Sequence, residues 1–91
     1  MTRIILKGFI MVPAEDLAAV KKELVSHIAF TLNEPGCITF KINQSKNDAC
    51  RFDVYEEFID RASFDAHQAR VKLSIWGKVS AKVKRYYEIT E

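Results

Sequence analysis

The first apolar stretch of the chain predicts a strand with two buried faces. Residues 3–12 are almost continuously apolar, broken only by Lys7 and Gly8, and several of them are β-branched. A run of this length and composition is typical of a buried strand. Apolar side chains occupy both parities, so each face of the strand needs a cover. We expect helices on one face and a second subunit on the other, because so short a chain cannot easily cover both.

The apolar positions that follow recur at helical spacing. Pro13 suits the first position of a helix, and Glu15 and Asp16 place negative charge in its first turn. The predicted apolar stripe consists of Leu17, Val20, Leu24, Ile28 and Leu32. The helix should end at residues 33–36, "NEPG", where proline and glycine stop helical periodicity.

An alternating pattern then predicts a two-stranded hairpin. Residues 37–45 and 50–58 alternate between apolar and polar side chains, and residues 46–49, "KNDA", have turn chemistry. The expected buried rows are Ile38, Phe40 and Ile42 in the first strand and Phe52, Val54, Glu56 and Phe58 in the second. Glu56 is therefore an acid in an otherwise apolar row.

Helical spacing returns after Asp60, which can cap a second helix. One side of this helix should carry Phe64, His67 and Val71, and a further helical piece, with Gly77 as a break, should group Leu73, Trp76 and Val79. Residues 84–90, "KRYYEIT", predict a last strand. The order β-α-β-β-α-β indicates an α+β, ferredoxin-like fold with helices on one face of an antiparallel sheet.

Length and composition set limits on the class of protein. The 91 residues permit a single domain, residues 1–91, with a small core that an oligomer would extend. A formal net charge of +2 with interspersed signs gives no reason to expect nucleic acid or a membrane as a partner. The N-terminus has no small-residue cleavage site, and no segment approaches the roughly 20 apolar residues that span a bilayer. We therefore expect a cytoplasmic protein.

Several kinds of site are disfavoured by the residues present. The third predicted strand carries Asp53, Glu56 and Glu57, which disfavour the sheet surface of an RNA-binding module. No spacing typical of a metal site, Gly-rich phosphate loop or dinucleotide fingerprint is present. Cys37 and Cys50 fall at opposite ends of the predicted hairpin, roughly 25 Å apart, so both should be reduced structural thiols.

Glu56 and His67 are the strongest candidates for chemistry. Glu56 should point from the sheet toward the helices, and His67 should point back toward the sheet. Burial would raise the pKa of the glutamate and lower that of the histidine, while their attraction would do the reverse, so the pair could exchange a proton near neutral pH. The alternative, which composition and spacing alone favour, is a hydrogen-bonded core pair that only fixes helix against sheet.

Aromatic side chains could line a small apolar cavity beside this pair. The predicted lining consists of Phe9, Phe40, Phe58, Phe64 and Trp76. His27 lies beside the apolar stripe of the first helix, so we expect it to be partly exposed and assign it no role.

Three stretches resemble the antibiotic biosynthesis monooxygenase family of dimeric α+β barrels. They are "VPAEDLAAVKKEL" at the first helix, "EPGCITFKI" at the second strand and "RFDVYEEFIDRASFDAH" across the third strand and second helix. The resemblance implies a homodimer with a ligand cavity between the sheet and helices of each subunit. It also implies oxidation of hydroquinones or polycyclic phenols by O2 without metal or flavin, or the processing of small signalling metabolites.

The resemblance places individual family residues on this chain. The strand glutamate falls on Glu56, the helix histidine on His67, and the aromatic residue after the glutamate on Phe58. Many members have a second histidine a few residues after the first, where this chain has Arg70, Val71 and Lys72, so the resemblance does not extend to a two-histidine mechanism. The tryptophan and histidine of related haem degraders are also missing, so haem is not expected.

These observations lead to one expected function and two alternatives. We expect a cofactor-independent monooxygenase in which His67, oriented by Glu56, removes a phenolic proton so that the anion can reduce O2. One alternative is a non-catalytic dimer that binds a small apolar metabolite. The other is an isomerase or tautomerase that uses the same two residues to move a proton. The fold alone does not separate the three.

Overall fold

The structure, a computed structural model, describes residues 3–91. Its strands are β1 (Ile4–Met11), β2 (Cys37–Gln44), β3 (Arg51–Phe58) and β4 (Lys84–Thr90). Its helices are α1 (Leu17–Leu32), α2 (Arg61–Leu73) and α3 (Ile75–Val79), and a single 3₁₀ turn, Ala14–Asp16, precedes α1. The predicted order of strands and helices is therefore present.

The four strands form one antiparallel sheet in the order β2-β3-β1-β4. The central strand β1 pairs with β3 through Leu6↔Glu56 and with β4 through Leu6↔Ile89. This register places alternate residues of neighbouring strands on the same face. The arrangement confirms the predicted α+β, ferredoxin-like fold.

The hydrophobic core lies between the sheet and the helices. The sheet contributes every second residue of its central strands, and the helices contribute residues such as Val20, Phe64 and Trp76. The buried sheet residues include Ile4, Leu6, Ile10, Phe52, Val54 and Phe58, all at most 4% exposed. Because side chains alternate along a strand, Glu56 must lie in this same layer.

The first helix starts later than predicted and buries a different stripe of residues. Pro13 precedes the 3₁₀ turn, so the regular helix starts at Leu17 and not at the proline. Its buried residues are Val20, Leu24, His27 and Thr31, whereas Leu32 is 54% exposed. At 3.6 residues per turn, this stripe follows the core, and Leu32 lies off it. The predicted partial exposure of His27 was therefore wrong.

A β-bulge changes the face on which Ile38 lies. Cys37 is aligned with Phe58, and the next aligned residue of β2 is Thr39, so Ile38 is the extra residue. Ile38 is 41% exposed, while Phe40 beyond the bulge is buried. The prediction that Ile38 shares the buried row was wrong, because a bulge shifts the alternation by one residue.

Both cysteines are free, as expected.

The second helical region is divided at Ser74. The Asp60 carboxylate caps α2 by accepting from the Ser63 backbone N–H at 2.8 Å. Ser74 has an extended conformation, and its hydroxyl accepts from the Gly77 backbone N–H at 3.1 Å, which caps α3. The break therefore lies at Ser74 and not at Gly77. It leaves Leu73 86% exposed and Trp76 buried, so the two do not pack together as predicted.

In the part of the chain that the structure describes, no helix covers the other face of the sheet. There Phe9 stacks on Tyr86 with ring centroids 4.8 Å apart, and the Arg51 guanidinium lies 3.9 Å from the Phe9 ring centre. Tyr55 and Arg3 both bind the Glu57 carboxylate on this face. Phe9 therefore cannot line a cavity under the helices, and its predicted place there was wrong.

Among residues 3–91, no helix has the length and apolar character that a membrane span requires.

Candidate active site

His67 is held from one side by a carboxylate that the sequence did not suggest. Its Nδ1 lies 2.6 Å from Glu34 Oε1, although the two residues are 33 positions apart. Glu34 lies in the turn after α1, and His67 faces the sheet from the middle of α2. The short distance indicates that Nδ1–H donates to the carboxylate, which leaves the Nε2 lone pair facing away from it.

Arg70 completes this arrangement one helical turn after His67. Its Nη2 donates to Glu34 Oε1 and to Thr31 Oγ1, both at 3.1 Å. Burial alone would raise the pKa of Glu34, but the hydrogen bonds from Arg70 and His67 outweigh it and hold that pKa below its ordinary value. Glu34 is therefore a carboxylate at neutral pH and fixes the imidazole orientation.

Burial dominates the charge state of His67 itself. The side chain is 2% exposed in a layer of apolar residues. This burial lowers the pKa of His67, and the opposing effect of Glu34 only partly offsets it. The imidazole is accordingly neutral at pH 7, which leaves Nε2 able to accept a proton.

Glu56 faces the free nitrogen of this imidazole. Its Oε1 lies 3.8 Å from His67 Nε2, too far for a direct hydrogen bond, and has no hydrogen-bond partner. Burial, and secondarily the negative charge of Glu34, raise the pKa of Glu56 to about 7. The predicted convergence of the two side chains is present, but Glu56 neither hydrogen-bonds to His67 nor orients it. That contact belongs to Glu34.

A cavity of about 270 Å³ opens beside these two residues. Its apolar wall includes Ile10, Ile42, Val71 and Trp76. Its polar lining includes His27, Glu56, His67, Gln68, Arg85 and Tyr87. The space can therefore hold a small, mostly apolar molecule with one polar end directed toward Glu56 and His67.

The predicted aromatic residues have different places around this cavity. Trp76 lines it directly. Phe58 and Phe40 pack against the His67 ring, with centroids 5.0 and 5.6 Å away, and Phe64 packs edge-on against Phe58. Phe40 and Phe58 therefore hold the imidazole, Phe64 supports Phe58, and none of the three is among the residues that line the cavity.

His27 forms part of the wall together with Trp76. The two rings are stacked with centroids 4.6 Å apart and planes 7° from parallel. Burial is the main cause that lowers the pKa of His27 to about 3, so this histidine is neutral, and its Nδ1 is buried without a hydrogen-bond partner. A buried polar atom of this kind is costly unless a ligand or water satisfies it.

The last strand supplies two cavity residues that sequence reasoning missed. Arg85 and Tyr87 pair with Ile10 and Gly8 of β1, and this register puts them on the helix side of the sheet. Burial, with the negative charge of Glu56, raises the pKa of Tyr87 to about 12, so its phenol stays protonated. The signal in the sequence was the parity that Arg85 and Tyr87 share with Ile89.

The acids and histidines of the site can be compared with the arrangement that a metal ion needs. No group of three or more His, Cys, Asp or Glu side chains in that part of the chain is arranged to hold a metal ion. Glu34 and Glu56 instead lie at the two nitrogens of the His67 imidazole, Glu34 at Nδ1 and Glu56 at Nε2. This geometry suits proton transfer at Nε2.

Comparison with known families identifies the family of the chain. The model of the antibiotic biosynthesis monooxygenase family matches residues 3–73. The chain belongs to this family. Membership supports a monooxygenase-like function in general terms and does not define the substrate. None of the curated proteins matches the chain at a significant level.

Solved structures show the same fold across the whole chain. A candidate antibiotic biosynthesis monooxygenase from Bacteroides thetaiotaomicron superimposes with a TM-score of 0.83 at 16% identity, covering 99% of this chain and 87% of its own. A protein from Pseudomonas aeruginosa gives 0.79 at 21% identity, with 99% and 91% coverage. A candidate monooxygenase of the family from Nitrosomonas europaea gives 0.76 at 22% identity, with 97% and 86% coverage. At these identities the likeness shows the fold.

Proposed function

We propose that the protein is a cofactor-independent monooxygenase that oxidises a small electron-rich aromatic such as a hydroquinone with O2. One observation carries the proposal. A neutral imidazole, fixed at Nδ1 by the Glu34 carboxylate, presents Nε2 to a cavity in which Glu56 Oε1 is unpartnered. A phenolic hydroxyl between Nε2 and Glu56 would satisfy both groups and deliver its proton to His67.

The chemistry needs no redox group from the protein. His67 Nε2 takes the phenolic proton, and the resulting anion transfers one electron to O2. The resulting semiquinone radical and superoxide combine to form a C–O bond, and loss of water gives a hydroxyquinone. The net reaction converts hydroquinone and O2 into hydroxybenzoquinone and water. Protonated His67 returns the proton to the departing oxygen. The cavity orients the anion beside O2 and excludes water.

Glu34 and Glu56 have different roles in this scheme. Glu34 holds Nδ1–H and stabilises the imidazolium that forms, as a carboxylate next to a catalytic histidine does. Glu56, whose pKa is raised to about 7, can receive or return a proton at the same hydroxyl. Arg85 and Tyr87 line the cavity with further hydrogen-bond donors for a second polar group of the substrate.

A homodimer is the second part of the proposal. The uncovered face of the sheet carries Phe9, Tyr86 and Tyr55, and family members are typically dimeric. A second copy packed face to face would bury these rings and keep the cavity on the helix side intact. Sedimentation of the purified protein should then give twice the chain mass.

Oxygen uptake tests the catalytic proposal. The protein is mixed with hydroquinone in ¹⁸O₂, and uptake is compared with the rate of autoxidation without protein. We expect one labelled oxygen in the hydroxyquinone. His67→Ala should lower the rate at least 100-fold, because it removes the general base. Asp65→Ala, an exposed substitution on the same helix, is the matched control. Full turnover by a folded His67→Ala variant would remove His67 from the mechanism.

One alternative function has support of its own. Glu56 and His67 lie 3.8 Å apart, and the pKa of Glu56 is raised to about 7, which suits an isomerase or tautomerase acting on an enolisable ketone. Product formation under strict anaerobiosis would favour that function over oxygenation. Retention of a ligand with neither reaction would favour the non-catalytic binding protein.

A further inference from the structure

A second and larger space lies on the outer side of the helices. This outer groove has a volume of about 610 Å³ and runs between α1 and the junction of α2 with α3. Three of the side chains that line it are large, apolar and strongly exposed: Phe30 at 61%, Leu73 at 86% and Ile75 at 62%. A cluster of exposed apolar side chains around a concave space is typical of a binding site.

The outer groove meets the inner cavity at a stacked pair of rings. His27 and Trp76 line both spaces, whereas Glu56 and His67 line only the inner cavity. Their rings lie 4.6 Å apart and nearly parallel. The shared pair places the two spaces side by side, with Glu56 on the inner side and Leu73 and Ile75 on the outer side.

We infer that the outer groove binds an aliphatic tail of the substrate whose phenolic head occupies the inner cavity. The inference rests on the proposed function and names its substrate class as alkyl-substituted phenols and hydroquinones. The inner cavity has a strongly polar lining at Glu56, His67, Arg85 and Tyr87. The outer groove also carries Glu23, Ser26, Arg70 and Ser74, but its surface is mainly apolar, with Phe30, Leu73 and Ile75 as its large side chains. This distribution matches a molecule with a polar head and a neutral tail.

The expected gain in affinity follows from tail burial. Complete burial of one methylene strengthens binding up to about fourfold. The groove is open to solvent on one side, so we expect about twofold for each methylene. From 4-ethylphenol to 4-heptylphenol, which differ by five methylenes, Kd should then fall about 30-fold.

Trp76 provides a direct measure of binding. It is the only tryptophan in the chain and lines both spaces, so its fluorescence reports occupation without any turnover. The 4-alkylphenol series is titrated against the wild-type protein and against Leu73→Ser, which shortens the apolar wall at a residue that contributes little to the core. Leu73→Ser should raise Kd for 4-heptylphenol about fivefold and leave Kd for 4-ethylphenol unchanged. Val25→Ser, equally apolar and 73% exposed but outside the groove, is the matched control.

The outcomes separate this inference from the proposed function. Affinity that does not depend on chain length, or a Leu73→Ser protein that binds the long phenol as the wild type does, would overturn the inference. In another outcome, Leu73→Ser changes the oligomeric state while Kd still depends on the alkyl chain length as in the wild type. That result would also overturn the inference, because a second copy would then cover the groove. Chain-length-dependent binding without oxygen uptake from any alkylhydroquinone would support the tail site and reject the oxygenase.

Discussion

The two faces of the sheet place the same residue types in different surroundings. On the helix side, Glu56 is 6% exposed and has a pKa raised to about 7. On the open side, Glu57 is the next residue of the same strand and binds Arg3 at 2.7 Å and Tyr55 at 3.1 Å. One acid is buried without a partner, while the other is paired near solvent. Adjacent residues of one strand therefore differ in chemistry because alternation sends them into different surroundings.

The aromatic residues of the two faces show the same contrast. Phe58 is 0% exposed and packs against Phe64 and His67. Phe9 is half-buried, between Tyr86 and the Arg51 guanidinium. Phe58 supports the site from within the core, and Phe9 lies on the open face, which a second copy could cover. The comparison predicts that equivalent changes on the two faces will have unequal effects.

The largest expected effect is on stability. Phe58→Ala should lower the free energy of unfolding by about 3–5 kcal/mol, because it leaves a cavity in a fully buried layer. The matched change Phe9→Ala on the open face should cost about 1–2 kcal/mol at protein concentrations low enough to keep the chain monomeric. In the monomer Phe9 is only half-buried, so its removal exposes less apolar surface. Urea unfolding of both variants measures the difference. Equal losses at low concentration would show that the faces are not energetically distinct.

The second effect concerns pH and Glu56. The folded protein holds the Glu56 proton up to about pH 7, whereas an ordinary glutamate loses it near 4.5. The folded state therefore binds more protons in this window, and stability falls as the pH rises through it. Glu56→Gln stays neutral and should gain about 2–3 kcal/mol relative to the wild type between pH 5 and pH 8. Thermal unfolding over that range tests this, with Glu57→Gln, the adjacent carboxyl on the open face, as the matched control.

The third effect concerns the carboxylate that holds His67. Glu34→Gln removes a charge that raises the pKa of His67, so that pKa should fall further and the imidazole should become a weaker base. We expect kcat/KM for hydroquinone to drop about 10–100-fold and the acidic limb of its pH profile to move to lower pH. Glu57→Gln again serves as the matched control from the open face. A lower rate with an unmoved acidic limb would argue for a purely structural Glu34.

The smallest effect should come from an ion pair on the open face. Arg51 and Asp53 are 3.0 Å apart, with side chains 41% and 54% exposed. Asp53→Asn should change the free energy of unfolding by less than about 0.5 kcal/mol, because solvent and salt screen such a pair. A larger change that grows with protein concentration would show that Asp53 lies at an interface between copies.

Local patterns were sufficient to predict much of the candidate site. Glu56 falls in a period-two row with Val54 and Phe58, and His67 falls one helical turn after Phe64, so both were expected to face the core. The failures arose where local spacing was ambiguous. Ile38 left its row at a bulge, and His27 entered the core because the buried stripe of α1 runs through it.

The sequence by itself determined the order of strands and helices, the capped start of α2, and the side of the sheet on which Glu56 and His67 lie. These features depend on periods of two and 3.6 residues and on caps, which are properties of neighbouring residues. Only the tertiary structure decided that Glu34 binds His67, that His27 stacks on Trp76, and that Arg85 and Tyr87 reach the cavity. Such contacts join residues far apart in the chain, so they depend on strand register and helix packing, which no local period specifies.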